Sequence, residues 1–172
     1  MGKGCVAARP SGTIALVKIL LVRHADAVEL TGSLTDAERF LSAAGRTQAR
    51  AIGRAIRSKE IEWDAVVCSP LVRAVQTAEI FAEAVGFAGV VEAVRSLSPG
   101  VPARAMADAM RGRGDAIAVV AHEPDLTALG ALFAGRPSFP SFRKGEAMLL
   151  DGGAPAWRLD PKTLEFDRLI VA

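Results

Sequence analysis

The chain has 172 residues, about half of them apolar, and a formal charge of only +2. This length supports one domain with a real core and is too short for two, so we predict a single domain over residues 13–172 and a flexible tail over residues 1–12. The arginines are scattered, tyrosine is absent and no apolar stretch approaches the roughly 20 residues of a membrane span, so we expect neither nucleic acid nor a membrane as a partner.

The chain contains two cysteines, Cys5 and Cys68. They provide neither a disulfide framework nor the spacing of a metal site, and we therefore expect a cytoplasmic protein in a reducing environment.

The first predicted strand is an apolar run over residues 17–22 that ends on Arg23, His24 and Asp26. Because the run is apolar on both faces, it is typical of a buried parallel strand. Arg23 and His24 then lie at the carboxyl end of this strand, which is the edge where open α/β sheets bind their ligands.

A polar loop and a helix are predicted next, with Ser42 as the N-cap and the end of the helix near Ser58. Small residues four positions apart, Gly45, Ala49 and Gly53, predict a close approach of this helix to a sheet.

The second predicted strand covers residues 64–68 and leads directly into a helix. Ser69 and Pro70 have the order expected of an N-cap and a first-turn proline, and Gly86 ends the helix. Arg73 lies off the apolar stripe in the first turn, where the free backbone N–H groups favour an anion.

The remaining pattern predicts two more parallel strands, two helices and a C-terminal antiparallel hairpin or meander. The strands are predicted at 89–94, 116–121, 146–151, 156–159 and 166–171, and the helices at 102–110 and 123–133. His122 follows the fourth strand directly. We predict an α/β fold, a three-layer α/β/α sandwich with a mostly parallel central sheet and the antiparallel strands at one side.

The chemically distinctive residues follow the ends of different predicted strands. Arg23 and His24 follow the first, Arg73 the second and His122 the fourth, and the chain has only two histidines. Two guanidiniums, two imidazoles and a helix N-terminus at one sheet edge predict a phosphate site, with Ser69 as a further binding residue.

Four motifs in order resemble those of the histidine phosphatase superfamily, which is phosphoglycerate mutase-like in fold. They are Arg23-His24-Ala25, similar to RHG with alanine for glycine, then residues 41–49 (LSAAGRTQA), 69–78 (SPLVRAVQTA) and 120–124 (VAHEP). The short chain and the RHA and HEP variants resemble the small SixA-type branch of protein phosphohistidine phosphatases.

The resemblance implies a mechanism. His24 is the expected nucleophile, held in one tautomer by an unnamed partner, and forms a phosphohistidine intermediate. Arg23, Arg73 and His122, the last as an imidazolium, are expected to stabilise the phosphoryl oxygens. Since the arginines supply the positive charge, no metal or other cofactor is expected, and inorganic phosphate is the product.

Larger members of this family carry a glutamate general acid after the third strand, whereas the corresponding loop here, residues 95–100, has no carboxylate. Asp26 and Glu123 are the nearby carboxylates that could act as acid or base. A protonated phosphohistidine leaves as neutral imidazole and can manage without an acid, so we expect a phosphorylated protein or a small phosphorylated substrate with a good leaving group.

Several alternatives stay open on the sequence alone. They are a general small-molecule phosphomonoesterase of the same superfamily, a mutase and a non-catalytic phosphate-binding module. A thiol phosphatase is disfavoured, because the spacing between Cys68 and Arg73 is one residue shorter than a phosphate-wrapping loop and includes Pro70 but no glycine.

Overall fold

The structure is a computed structural model that describes residues 18–32 and 35–169. The tail predicted over residues 1–12 lies outside the described residues, and the single domain over residues 13–172 stays a prediction.

The described residues form seven strands and four α-helices. The strands are β1 (Lys18–Arg23), β2 (Ala65–Cys68), β3 (Val91–Ala93), β4 (Ala116–Ala121), β5 (Ala147–Asp151), β6 (Ala154–Leu159) and β7 (Phe166–Arg168). The helices are α1 (Ala43–Arg57), α2 (Val72–Val85), α3 (Ala103–Asp108) and α4 (Asp125–Ala134), with short 3-10 helices at Asp36–Glu38 and Arg95–Leu97.

All seven strands belong to one sheet in the order β3-β2-β4-β1-β5-β6-β7. The first four strands of this order pair in parallel, and β5, β6 and β7 are added antiparallel beside β1. The predicted α/β class and the antiparallel C-terminal strands are therefore confirmed, with the parallel pairing confined to half of the sheet.

The helices cover both faces of the sheet because β1 is apolar on both sides. Leu20 and Val22 pack in one core with residues of α1 and α2, whereas Ile19 and Leu21 pack in a second core with residues of α3 and α4. This alternation follows from the two-residue period of a strand. The sheet and the helices on its two faces therefore form the three predicted layers.

Two local predictions were wrong. Helix α2 begins at Val72 with Leu71 as the N-cap, two residues beyond the predicted N-cap Ser69, whose hydroxyl accepts from the N–H of Leu71 ahead of the helix and bonds to His122. The small residues of α1 also do not approach the sheet: Gly53 packs against α2, and Gly45 lies against the backbone of Asp26.

Among the described residues, no helix combines the length and the apolar character that crossing a membrane requires.

The contact at Gly45 predicts a large cost for adding a single methyl group. A Cβ at Gly45 would lie 1.9 Å from the carbonyl oxygen of Asp26, and backbone cannot move aside as a flexible side chain can. We expect Gly45→Ala to lower the free energy of unfolding by about 1–3 kcal/mol despite the better helix propensity of alanine, measured by urea denaturation. Gly89→Ala is the control, because an added Cβ at Gly89 would meet the ring of Phe87, which is a side chain and not backbone. A stabilised Gly45→Ala protein would contradict this packing.

Candidate active site

The strand register brings the two histidines side by side. Val120 of β4 pairs with Val22 of β1 on one side and with Cys68 of β2 on the other, and Arg23 pairs with Ala121. The residues that follow these strand ends are His24, His122 and Ser69, so all three emerge at one edge of the sheet. The imidazole centroids of His24 and His122 are 5.0 Å apart.

The tautomer of His24 is fixed by its own backbone turn. Its Nδ1 lies 2.8 Å from the carbonyl oxygen of Ala25, which can only accept a hydrogen bond, so Nδ1 carries the proton. Its Nε2 then holds a lone pair and accepts a hydrogen bond from Nε of Arg73 at 3.3 Å. The carbonyl of Ala25 is thus the tautomer-holding partner that the sequence analysis could not name.

Arg73 is buried although it lies near the start of a helix. It is 5% exposed, and besides the contact to His24 its guanidinium donates to two oxygens of Asp36. The backbone carbonyl of Asp36 lies 2.6 Å from one terminal nitrogen and the carboxylate 2.9 Å from the other. These bonds set the plane of the guanidinium and leave its Nε edge next to His24.

Ser69 and His122 form the second pair of the site. The Ser69 hydroxyl lies 2.8 Å from Nε2 of His122, and both residues are buried. Nδ1 of His122 is buried and has no hydrogen-bond partner among the described residues. A buried polar atom of this kind normally has a partner in a folded protein.

Arg23 is held by the loop that precedes β5. One terminal nitrogen donates to the carbonyl oxygen of Phe142 at 2.7 Å, and the N–H of Phe142 donates to Glu123 at 2.9 Å. Nε of Arg23 is the other buried side-chain nitrogen without a partner in the described part of the chain. Arg23 lies close enough to both imidazoles for its charge to lower their pKa values, so both unsatisfied nitrogens belong to the cluster of His24, His122, Arg23 and Arg73.

Burial and positive neighbours keep both imidazoles neutral. Burial lowers the pKa of His24 to about 4, and Arg73, Arg23 and Lys144 add to this effect against the opposing hydrogen bond of Ala25. Burial lowers the pKa of His122 to about 3, with His24 and Arg73 as further causes and Asp36 opposing them. The protein's own groups therefore favour a neutral His122 over the expected imidazolium. A charged ring there requires a neighbouring anion.

The comparisons with known proteins fit this geometry. The family model of the histidine phosphatase superfamily (branch 1) matches residues 19–97, which include His24, Ser69 and Arg73. This match supports the resemblance of the chain to the histidine phosphatase superfamily.

Solved structures of this superfamily share the fold of the chain. The protein histidine phosphatase SixA, solved with tungstate, is 24% identical with a TM-score of 0.76, over 87% of this chain and 100% of that one. The SixA structure from Agrobacterium tumefaciens is 20% identical with a TM-score of 0.68, over 79% of this chain and 92% of that one. At these identities, the likeness establishes the fold.

A curated relative is more similar over a shorter stretch. The serine/threonine-protein phosphatase Pgam5, mitochondrial, from Drosophila mojavensis is 36% identical over 69 residues, or 40% of this chain and 23% of the relative. The chain thus spans less than a quarter of the length of the curated relatives it matches.

The superfamily's RHG motif is RHA in this chain, and the structure shows how the alanine is accommodated. Ala25 is fully buried and its methyl group packs in a small cluster with Leu41 and Ala49. Its N–H donates to the Thr77 hydroxyl, which in turn donates to the carbonyl of Arg73. Thr77 thereby ties the turn that carries His24 to the helix that carries Arg73.

The two carboxylates predicted as acid or base are engaged in structural contacts. Asp26 accepts hydrogen bonds from Lys144 and Ser42, both at 2.8 Å, and these bonds, with that of Lys144 the stronger, hold its pKa below the usual range. Glu123 accepts from Thr127 and from the backbone of Phe142. Asp26 therefore keeps no proton to donate near pH 7, and Glu123 positions the loop that holds Arg23.

Cys68 is not a usable nucleophile in this protein. It is fully buried in β2, and burial, followed by the charge of Glu79, raises the pKa of its thiol to about 12. The thiolate that a thiol phosphatase needs is absent near neutral pH.

Sequence reasoning missed Asp36 and Thr77. Asp36 is one acidic residue in a polar loop, and no local pattern connects it with Arg73, 37 positions away. Thr77 lies in the quoted motif of residues 69–78, and its side-chain contact depends on tertiary packing. The motif could have singled out Thr77, whereas no signal in the chain could have found Asp36.

The lowered pKa values predict how the two rings titrate. We expect neither imidazole to take up a proton between pH 8 and pH 5, and His24 to titrate near pH 4, because protonation would place a buried charge beside Arg73. NMR of the ring resonances measures this, and with two histidines in the chain the variant His24→Asn assigns both signals. A midpoint near the ordinary 6.5 for either ring would contradict the geometry.

The same shifts make stability depend on pH with a defined sign. In the unfolded chain both histidines bind protons below about pH 6.5, whereas in the folded protein the pKa is about 4 for His24 and about 3 for His122. The free energy of unfolding should therefore fall as the pH is lowered from 6.5 toward 4, by up to about 1.4 kcal/mol per pH unit for each histidine.

Proposed function

We propose that the protein is a phosphohydrolase that uses His24 as nucleophile and that its substrate is a phosphohistidine on a protein. The supporting observation is the lone pair on Nε2 of His24, fixed by Ala25 and placed beside Arg73, His122 and the two unsatisfied nitrogens of Arg23 and His122. A phosphoryl group next to this atom would give those nitrogens acceptors. SixA, which shares this fold, was solved with tungstate, a tetrahedral oxyanion, and this supports an anion site on the fold.

In the first step, Nε2 of His24 attacks phosphorus and the bond from phosphorus to the substrate nitrogen breaks. If the substrate imidazole carries a proton on its other nitrogen, it leaves as neutral imidazole and needs no further proton. Arg73 and Arg23 stabilise the equatorial oxygens, where positioning and charge provide most of the catalysis of phosphoryl transfer. The dianionic phosphoryl group supplies the negative charge that favours a protonated His122 during this step.

In the second step, water attacks the phosphohistidine and the bond between phosphorus and Nε2 breaks. His24 retains its proton on Nδ1 and leaves as neutral imidazole, so both protons of the water end on the released phosphate. The positive charge of this site comes from Arg23 and Arg73, and we propose that the reaction requires neither a metal ion nor another cofactor.

The occupied carboxylates favour phosphohistidine over an alkyl phosphate. An alkoxide leaving group needs a general acid, whose contribution is about 10²- to 10⁴-fold in rate. Asp26 and Glu123 are engaged, and hydrogen bonding with Arg73 keeps the pKa of Asp36 low. The name of the Pgam5 relatives, serine/threonine-protein phosphatases, favours phosphoesters instead, and this is the alternative function that the experiment must separate.

We further propose cytoplasmic action on a phosphorylated protein or small phosphorylated substrate, with inorganic phosphate as product. The Pgam5 relatives are named as mitochondrial proteins, so fractionation of the source cell is the direct test of location.

The decisive experiment is phosphoryl trapping followed by a substrate panel. With a ³²P-labelled phosphohistidine peptide and a rapid acid-free quench, we expect label on the protein that is stable in alkali and lost in acid, and none on His24→Ala. Cys68→Ala is the matched control and should keep both label and turnover. Alkali-labile label, or turnover that survives His24→Ala, would overturn the proposal.

The substrate panel then separates the two functions. We expect kcat/KM for the phosphohistidine peptide to exceed that for a phosphoserine peptide of the same sequence by at least about 100-fold. The serine alkoxide needs a proton donor to leave, and the proposed site does not supply one. Equal values would assign the protein to phosphoester hydrolysis. Phosphate binding without turnover of any substrate would make it a binding module.

Asp36 is expected to act through Arg73 as a positioning residue. The carboxylate is 57% exposed and orients a guanidinium that is nearly buried, so it fixes the Nε edge beside His24 and also reduces the local positive charge. Its removal has two opposite effects: phosphate binds more tightly because a negative charge is lost, and the transition state is less well aligned.

We therefore expect Asp36→Ala to lower kcat by roughly 10- to 100-fold while KM stays equal or falls. Asp36→Asn, which keeps an acceptor for Arg73, should lose less. Both are measured with the phosphohistidine peptide. An increase in kcat would instead mean that the carboxylate competes with the substrate for Arg73.

A further inference from the structure

One face of α1 carries a row of four exposed arginines, which we call the α1 arginine row: Arg46, Arg50, Arg54 and Arg57. With 100° per residue, these four side chains fall within an arc of about 80°, away from the buried stripe of α1. They extend for about 16 Å along the helix axis. The row is thus a continuous strip of positive charge on one surface.

The arginines of this row stand out because four neighbouring positive charges lack ion-pair partners among the described residues. None of the four forms an ion pair with a described residue. The exposed Arg95 and Arg168 likewise form no ion pair with a described residue, but several arginines on other surfaces do. These pairs are Arg39 with Asp36, Arg104 and Arg111 with Asp108, Arg113 with Glu92, Arg143 with Glu146 and Asp160, and Arg158 with Asp167.

Stabilisation of the helix explains the presence of only two of the four arginines in the row. Arg54 and Arg57 lie in the last turn of α1, where positive charge is favoured by the helix dipole. Arg46 lies in the first turn, which contains no acidic residue, and there the dipole opposes it. Neighbours four residues apart also repel one another. The charge at Arg46 and Arg50 therefore has no stabilising role within α1.

The row begins beside the active site. The N-cap of α1, Ser42, donates to Asp26, which is two residues beyond His24 in the chain. Because α1 starts at the carboxyl edge of the sheet and runs away from it, Arg46 lies nearest to the site and Arg57 farthest. Arg50, Arg54 and Arg57 also line an open groove of 340 Å³, whose other wall contains Glu83 and Ala84 of α2.

We infer that the α1 arginine row is a docking surface for an acidic segment of the phosphorylated protein substrate. This inference rests on the proposed function, because it places the bound segment on the same protein that presents its phosphoryl group to His24. About five extended residues span 16 Å, so a short segment rich in Asp or Glu can contact the whole row. Guanidiniums bind carboxylates in a bidentate manner, and Glu83 keeps the acidic side chains on the α1 side of the groove.

The test compares phosphohistidine peptides that share one core and differ only in a six-residue extension of glutamates, glutamines or lysines, joined by a flexible linker of two to six residues. We expect kcat/KM to be about tenfold higher for the glutamate extension than for the glutamine extension at low ionic strength, and the difference to vanish near 0.5 M salt. The gain should lie in KM, since the row does not contact the phosphoryl group.

The variant Arg50→Gln/Arg54→Gln should remove this preference and leave kcat/KM for the glutamine extension unchanged. The matched control is Arg104→Gln/Arg111→Gln, which removes two exposed charges from the opposite face of the sheet and should keep the preference. A preference that survives in the first variant, or is lost equally in both, overturns the inference.

A binding measurement separates this inference from the proposed function. Fluorescence anisotropy of the unphosphorylated glutamate peptide with His24→Ala reports docking without turnover, and we expect at least about tenfold weaker binding after Arg50→Gln/Arg54→Gln. Absence of turnover with intact binding would count against the proposed function alone. Equal binding of the glutamate and lysine peptides, or tighter binding of an oligonucleotide of the same charge, would overturn the docking surface.

Discussion

The parallel register of β1, β4 and β2 is the constraint on which the site depends. It aligns Val22, Val120 and Cys68 across the sheet, and so the next residues of each strand emerge together. A shift of one residue in the pairing of β1 with β4 would turn the side chain of His24 or His122 toward the other face of the sheet, because successive side chains of a strand face opposite sides. The cores on both faces, filled by Leu20 and Leu21 among others, hold that register.

The chemistry of the site follows from placing basic groups where water is scarce. Burial makes both imidazoles neutral, and the arginines beside them act in the same direction. A neutral His24 is a nucleophile, whereas the permanent charges of Arg23 and Arg73 remain available to an anion. Backbone carbonyls and Asp36 provide the acceptors that let these guanidiniums be buried at low cost, since an unpaired buried charge would be strongly unfavourable.

The carboxylates near the site stabilise the structure and have no role in the proposed reaction. Asp26 ties α1 and Lys144 to the turn after His24, and Glu123 fixes the backbone of Phe142, whose carbonyl in turn holds Arg23. Because these carboxylates are engaged, the proposed reaction depends on the leaving group, which is why we propose phosphohistidine as the substrate. The α1 arginine row extends the same positive character outside the site, where it can select the protein that carries the phosphoryl group.

The sequence alone determined much of this description because the deciding signals are local. Apolar runs predicted the strands, Ser42 and Gly86 predicted the start of α1 and the end of α2, and the ordered motifs indicated the superfamily. The positions of His24, Arg73 and His122 after strand ends were also evident without coordinates. Cys68 could be set aside from its spacing, and its burial agrees with that interpretation.

Only the tertiary structure decided which partners these residues have. That Ala25 fixes the tautomer of His24, that Asp36 orients Arg73, and that Asp26 and Glu123 are occupied depends on distances between segments far apart in the chain. The contact of Ser69 with His122, 53 positions away, has the same origin. Local patterns report backbone propensity and burial, whereas hydrogen-bond partners and pKa values are set by packing, which no short stretch of sequence contains.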